Sequence, residues 1–321
     1  EDDFYYSKRI AEILGQKLSV VEFDEPGTSP DGFLNNLEAV ARDVEELTSD
    51  FTFTAAQLLS RKARESGYKV MLSGMGGDEL FAGYPRYKLV KYAKWFRFLL
   101  PFVFPRNFIP RLKQNKKLDR FVSFFRASDF GSSYTSTVGV FSREEVNELL
   151  GGKTGGFLKK ITRILRPVEN WSALKKAMYL DLSGFLAHNF IVADKSSMQE
   201  SIELRVPLAT AALAHQSFAL PDDVLIKGGV LKYPLKKMLE TSLPKEMIYR
   251  PKTGFNPPLD GLVRNLGVER IKAYFIECNL YDFLQEGKVE TIVNTHFSKQ
   301  KNETYKIYNL LFLATWLKIN R

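Results

Sequence analysis

Lys69-Val70-Met71-Leu72-Ser73-Gly74-Met75-Gly76-Gly77-Asp78-Glu79 is the stretch on which the reading of the whole chain turns. The short apolar run Lys69 to Leu72 reads as a buried strand, and it passes directly into a glycine-rich turn. Asp78 and Glu79 then stand where a helix would begin. Glycines let the main chain come close to phosphate oxygens, and in open α/β sheets the carboxyl edge of the strands is where ligands bind. The two acidic residues have two readings. They complement a helix dipole, an effect of ~0.3–1 kcal/mol, or Asp78 offers a hard carboxylate to Mg²⁺ at a phosphate.

Working outward, Phe4 to Leu14 has apolar residues at helical spacing, with Gly15 placed as a C-cap. Leu18 to Phe23 is β-branched and apolar and predicts a strand, followed by a Pro/Gly/Ser/Asp loop to Gly32. Phe33 to Leu47 and Phe53 to Glu65 predict helices, the second capped by Thr52 or Thr54 and stopped by Gly67. Helix and strand alternate up to residue 87, the pattern of a parallel α/β sheet. From Lys88 to about Leu165 the period is helical, interrupted by Pro101, Pro105 and Pro110 and by glycines at 151–156. A long amphipathic helix is expected over Trp171 to Phe190 and another near Leu208. Val224-Leu225-Ile226 is the one strand expected beyond residue 90. The chain therefore divides into a partial α/β core over 1–87, a helical insertion over 88–170 and a mainly helical portion over 171–321.

At 321 residues, with 45% hydrophobic and 26% charged residues, the chain can bury a substantial core. Its single cysteine, Cys278, excludes a disulfide within the chain and, lying in Tyr274-Phe275-Ile276-Glu277-Cys278, reads as a packing residue. The net charge of +9 suits an anionic ligand, but the basic residues are scattered. The clusters Arg111 to Lys117 and Lys299 to Lys301 read as solvated faces, so no nucleic-acid partner is expected. The apolar run Trp95 to Pro105 is broken by Arg97 and two prolines and falls short of the ~20 residues a spanning helix needs. With no basic-then-apolar leader at Glu1, no membrane partner and a cytoplasmic location are expected. His188, His215 and His296 have no spacing that suggests a metal site or a triad.

Val70 to Tyr84 resembles the second signature loop in the synthetase domain of glutamine-dependent asparagine synthetases. Two more stretches agree in order. Asp194-Lys195-Ser196-Ser197-Met198 with Glu203-Leu204-Arg205-Val206-Pro207 is similar to the family's Asp-Arg-x-x-Met…Glu-x-Arg-x-Pro segment. Leu220-Pro221-Asp222, Lys232-Tyr233, Leu243-Pro244 and Arg250-Pro251-Lys252-Thr253-Gly254-Phe255 follow.

The resemblance implies a parallel-sheet, ATP-pyrophosphatase-like core, here incomplete, with a large helical portion. It also implies a reaction in which ATP adenylates a carboxylate, that of aspartate in the family, and ammonia attacks the acyl-adenylate. ATP and Mg²⁺ would be the cofactors, with ammonia coming from a glutaminase domain outside this chain. A homodimer is left open. Carried over residue by residue, Ser73, Gly74, Gly76 and Gly77 would meet ATP and pyrophosphate, Asp78 the metal, and Lys252 the phosphates and adenylate as the catalytic cation. Asp194, Glu203 and Arg205 would position substrate or form a structural ion-pair network. Thr54 would line the aspartate site or cap its helix.

The sequence departs from the family pattern in three places. Met75 stands where the family carries a glutamate implicated in forming the intermediate, and methionine does no acid–base chemistry. Thr210 replaces an aspartate. The Ser-Gly-Gly-x-Asp-Ser pyrophosphate loop and its strand are absent, which implies an unpaired sheet edge, a truncated piece and no activity by the chain alone. Three other readings stay open: an adenylating amide synthetase with another carboxylate acceptor, a non-catalytic nucleotide-binding homologue, and a nucleic-acid-modifying ATP pyrophosphatase.

Overall fold

The computed structural model describes residues 2–21, 29–44, 47–93, 95, 116–127, 129–152, 156–250 and 259–321. It divides into two compact units. One comprises residues 1–23, 55–91 and 171–257; the other comprises residues 24–54, 92–170 and 258–321. The fold is mostly helical with a small parallel sheet.

The first unit holds the sheet. Strand β1, Val70–Leu72, pairs in parallel with strand β2, Glu203–Arg205, in the register Val70↔Glu203, Met71↔Leu204, Leu72↔Arg205. Among the described residues β1 has no second neighbour, so its other edge is open, and Leu72 is 72% exposed. β2 corrects the sequence reading, which placed no strand there. Three residues alternating Glu-Leu-Arg are too short to show a period, and the main-chain ladder to β1 settles the conformation. Val224-Leu225-Ile226 is the reverse error. Asp222–Leu225 is a helical turn entered from Pro221, and the Lys91 ammonium donates to the Asp222 and Ile226 carbonyls at 3.1 and 2.7 Å. Residues 18–21 form no strand, and the rest of that expected strand, with its loop to residue 28, lies outside the described residues.

The helix Ala187–Met198 packs against β2. Asp2–Ile13 ends at Gly15 with φ +62°, and Gly67 with φ +85° closes Thr52–Glu65, both as the glycine signals predict. The helix expected from Trp171 runs from Ala173–Leu180 through a π-helical segment, Asp181–Leu186, into Ala187–Met198. Ala211–Ala219 starts on Thr210, whose hydroxyl accepts from the Leu213 N–H, so threonine serves here as an N-cap, a role aspartate also fills.

The second unit is built on Thr304–Ile319, where Ile307, Tyr308, Leu310, Leu311, Phe312, Ala314 and Leu317 are all buried. A helix apolar on every side belongs inside. Pro30–Asp43, Leu259–Leu266, Val268–Glu277 and Glu286–Phe297 surround it. Cys278 is 1% exposed, and burial pushes its thiol up to about 11, the packing role expected of it. His296 is fully buried with Nδ1 accepting from the Glu303 N–H, while His188 is half-buried and His215 exposed. The start of Thr52–Glu65 is also corrected: Asp50 caps it, its carboxylate accepting from the Thr52 N–H at 2.8 Å and hydroxyl at 2.7 Å. Thr54 lies inside the helix and accepts from Asn36 at 2.9 Å. No helix among the described residues is long and apolar enough to cross a membrane.

Candidate functional site

The loop leaves β1 at its carboxyl end, as the strand-then-glycine pattern dictates. The Ser73 N–H donates to the Arg205 carbonyl at 2.8 Å, so the ladder continues one residue past the strand and fixes the departure point. Met75 N–H donates back to the Ser73 hydroxyl at 3.3 Å. Ser73 and Met75 are half-buried, Gly74 is exposed, and Gly76 and Gly77 are buried.

Gly76 has to be glycine on two counts. Its φ is +86°, a left-handed conformation, and a Cβ there would lie 2.8 Å from Ala209 Cβ. Gly77 is also tight, since its Cβ would meet Leu208 Cδ1 at 3.1 Å. Gly74 has open space where a Cβ would point. The loop is therefore pressed against residues 207–209, the 3₁₀ turn just after β2. The second motif noticed in the sequence thus forms the wall behind the first.

The helix that follows is a single turn, Gly77–Leu80. One turn sums few peptide dipoles, so this helix contributes little macrodipole. Asp78, near its start, is held by Lys232, with Oδ1 3.0 Å from Nζ. Gly83 makes that approach possible, because a Cβ on it would lie 2.0 Å from Asp78 Oδ1 and 2.2 Å from Lys232 Cε. Two non-glycine residues beside the site, Ala82 and Lys232, take left-handed φ values of +53° and +54°. Such backbone costs ~1–2 kcal/mol per residue. Lys236, on the helix Tyr233–Leu239 that Lys232 leads, has its ammonium pKa lowered by burial first and then by Lys232 and Lys88. Lys232, the partner of Asp78, and Lys88 thus both act on Lys236.

Behind the loop lies a buried polar layer. Glu79 is 2% exposed and accepts from the Tyr84 hydroxyl at 2.6 Å. Burial, then this bond, raises the phenol pKa well above its ordinary value. The Arg86 guanidinium lies 3.7 Å from the Tyr84 ring centroid and donates to Asp181 at 2.7 and 3.2 Å. Asp181 also accepts from Tyr87 at 2.6 Å. It stands at the first residue of the π-helical segment, which turns its carboxylate inward. Ser217, itself buried, donates to the Leu80 carbonyl and accepts from the Lys175 ammonium at 2.8 Å. Burial lowers the Lys175 pKa to about 8, with Asp222 opposing the shift.

Of the expected site residues, the structure brings Ser73, Gly74, Met75, Gly76, Gly77 and Asp78 into one turn. Glu203 and Arg205 pair with each other at 2.9 Å on β2, both more than half exposed. Asp194 is exposed on Ala187–Met198 and has no ion pair with either of them. Lys252 lies outside the described residues. Lys232, Glu79, Arg86 and Asp181 were not singled out as site residues. Lys232-Tyr233 and the Tyr84 end of the loop were quoted only as motif text; Tyr84 reaches Glu79 five residues back, whereas no short-range spacing joins Lys232 to Asp78.

These parts define a parallel α/β unit whose strand-end glycine turn is walled by the second strand's exit and closed by a lysine from a following helix. The chain belongs to the asparagine synthase family, whose profile matches residues 1–318. It is 23% identical over 305 residues to glutamine-hydrolyzing asparagine synthetase 1 of Bacillus subtilis (strain 168), covering 91% of this chain and 47% of that protein. A putative glutamine-hydrolyzing asparagine synthetase of Mycobacterium bovis is 29% identical over 243 residues, 72% of this chain and 36% of the relative. The mouse glutamine-hydrolyzing asparagine synthetase is 29% identical over 138 residues, 42% and 23%. The chain spans about half or less of the length of the relatives it matches.

Proposed function

We propose that this chain is the synthetase portion of an asparagine-synthase-type ligase, binding ATP against the glycine turn and activating a carboxylate as its adenylate. The observation that carries this reading is Gly76. It is left-handed and sterically locked at a strand's carboxyl end, which supports a tight main-chain turn at the sheet edge where open α/β proteins bind ligands.

In this reading a carboxylate oxygen of aspartate attacks the α-phosphorus of ATP and the bond to the β-phosphate breaks. Pyrophosphate leaves, and ammonia then adds its lone pair to the acyl carbon. AMP departs and a proton is lost, giving the amide. Charge grows on the leaving pyrophosphate, so donors and cations must be in place beforehand. In this reading the Ser73 hydroxyl and the Gly74 and Gly76 N–H groups supply donors, since the Ser73 and Gly77 N–H groups are taken by the Arg205 and Gly74 carbonyls, and Lys252 is assigned the phosphates by its motif. Asp78 fits Mg²⁺ as one hard carboxylate; no group of three or more His, Cys, Asp or Glu forms a metal cage among the described residues. That donor set suits an ion that arrives with polyphosphate and keeps much of its water. When bound, the ion would screen the phosphate charge.

Met75 supports a second reading, in which the same adenylation acts on another carboxylate. A thioether takes no proton, so acid–base work at this position would fall to another group. Incubating the protein with ATP, Mg²⁺, ammonia and either aspartate or alternative acids separates the two. Asparagine with AMP supports the first, and AMP formed only with another acid supports the second. No AMP with any acid, from this chain or from a longer protein that carries it with the pyrophosphate loop, overturns both.

A further inference from the structure

We infer that Lys232 is a built-in occupant of the cation position at Asp78, and that a divalent ion gains this carboxylate only by displacing the ammonium. The inference rests on the reading of Asp78 as a metal carboxylate given above.

The geometry is specific. Lys232 Nζ stands 3.0 Å from Asp78 Oδ1 with both side chains largely buried, 30% and 22% exposed. Neither has slack on the side of Gly83, where a single added carbon would collide with the carboxylate and with the lysine stem. On the other side, a Cβ on Gly77 would lie 3.9 Å from the same Nζ. The ammonium therefore sits between the two ends of the turn, against main chain, and is not one exposed conformer among many. The lysine is aimed from a left-handed backbone at φ +54°, a conformation that surrounding structure must hold in place.

Charge gives the arrangement its consequence. Like charges a few ångströms apart in a partly buried site repel far more than they would in bulk water. A divalent ion placed on Asp78 with Lys232 unmoved would be repelled by the ammonium 3.0 Å from Oδ1. Lys232 stands on Oδ1, so an ion that takes the same oxygen has to push the ammonium aside. Free metal is thereby disfavoured at the site, and an ion that brings anionic phosphate, which can receive the released ammonium, is favoured.

The test uses Mn²⁺ alone, titrated into the purified protein with the free ion followed by electron paramagnetic resonance. Lys232→Met should bind Mn²⁺ at least fivefold more tightly than wild type, whereas Lys232→Arg, which keeps a cation, should bind as wild type does. The gain should vanish in the double variant Asp78→Asn/Lys232→Met. Lys232→Gln serves the same comparison if the methionine variant is insoluble. Equal affinity of wild type and the neutral variants, or a gain that survives loss of Asp78, overturns the inference. ATP binding by equilibrium dialysis on the same samples keeps the two readings apart. A Mn²⁺ gain without ATP binding counts against the nucleotide reading alone, and ATP binding without the gain counts against the lysine latch alone.

Discussion

Replacing Gly76 by alanine tests the loop geometry with a single carbon. At φ +86° an alanine pays for a left-handed backbone, ~1–2 kcal/mol. Its Cβ would also lie 2.8 Å from Ala209 Cβ and 3.3 Å from Ala209 Cα. Carbon atoms prefer ~3.5–4.0 Å, and neither of these contacts is the flexible end of a side chain. Overpacking of that kind costs ~1–3 kcal/mol. The sum, roughly 2–5 kcal/mol, is a large share of the ~5–15 kcal/mol that holds a typical domain together. Gly74→Ala is the matched control, since no atom lies within 4 Å of its Cβ and its φ is not left-handed. Its stability should stay within ~0.5 kcal/mol of wild type. Urea unfolding followed by circular dichroism reads both. A Gly76→Ala midpoint equal to wild type, or a Gly74→Ala loss comparable to that of Gly76→Ala, would refute the claim that the loop is pressed against residues 207–209.

Further outcomes follow from the buried polar groups. Asp181→Ala should cost ~3–5 kcal/mol by leaving the Arg86 guanidinium buried without its carboxylate; an unchanged melting temperature would show that the pair is not formed. Lys175 has a folded pKa of about 8, below that of an unfolded lysine, so between these values the unfolded chain holds one proton more. Stability should therefore rise as pH climbs from about 8 toward 10, and Lys175→Met should remove that rise; a slope unchanged by the substitution would count against it. Cys278, its thiol pushed up to about 11, should react with iodoacetamide at pH 8 only after denaturant is added. Rapid native labelling, read by mass spectrometry, would contradict its burial.

What could be read from the sequence depended on the range of the signal. Gly15, Gly67 and Gly76 announce themselves locally, because only glycine accepts their backbone angles cheaply. The strand Val70–Leu72 was visible as an apolar run before a glycine turn. Its partner Glu203–Arg205 was not, because the ladder that makes it a strand comes from far along the chain. The same holds at the site. Ser73 to Asp78 share one turn and one motif, whereas the pairing of Asp78 with Lys232 and of Arg86 with Asp181 is created by folding. Glu203 and Arg205 pair because the strand that folding makes of them turns alternate positions the same way, and the sequence reading placed no strand there. Asp194 does not join them, since it projects from a different element into solvent.

The central claim is carboxylate adenylation, and oxygen transfer reports on it directly. Aspartate labelled with ¹⁸O in its side-chain carboxylate, given with ATP, Mg²⁺ and ammonia to the full-length protein that carries this chain, should yield AMP bearing one ¹⁸O in its phosphate. Label appearing in inorganic phosphate alongside ADP, or AMP released without label, would contradict it.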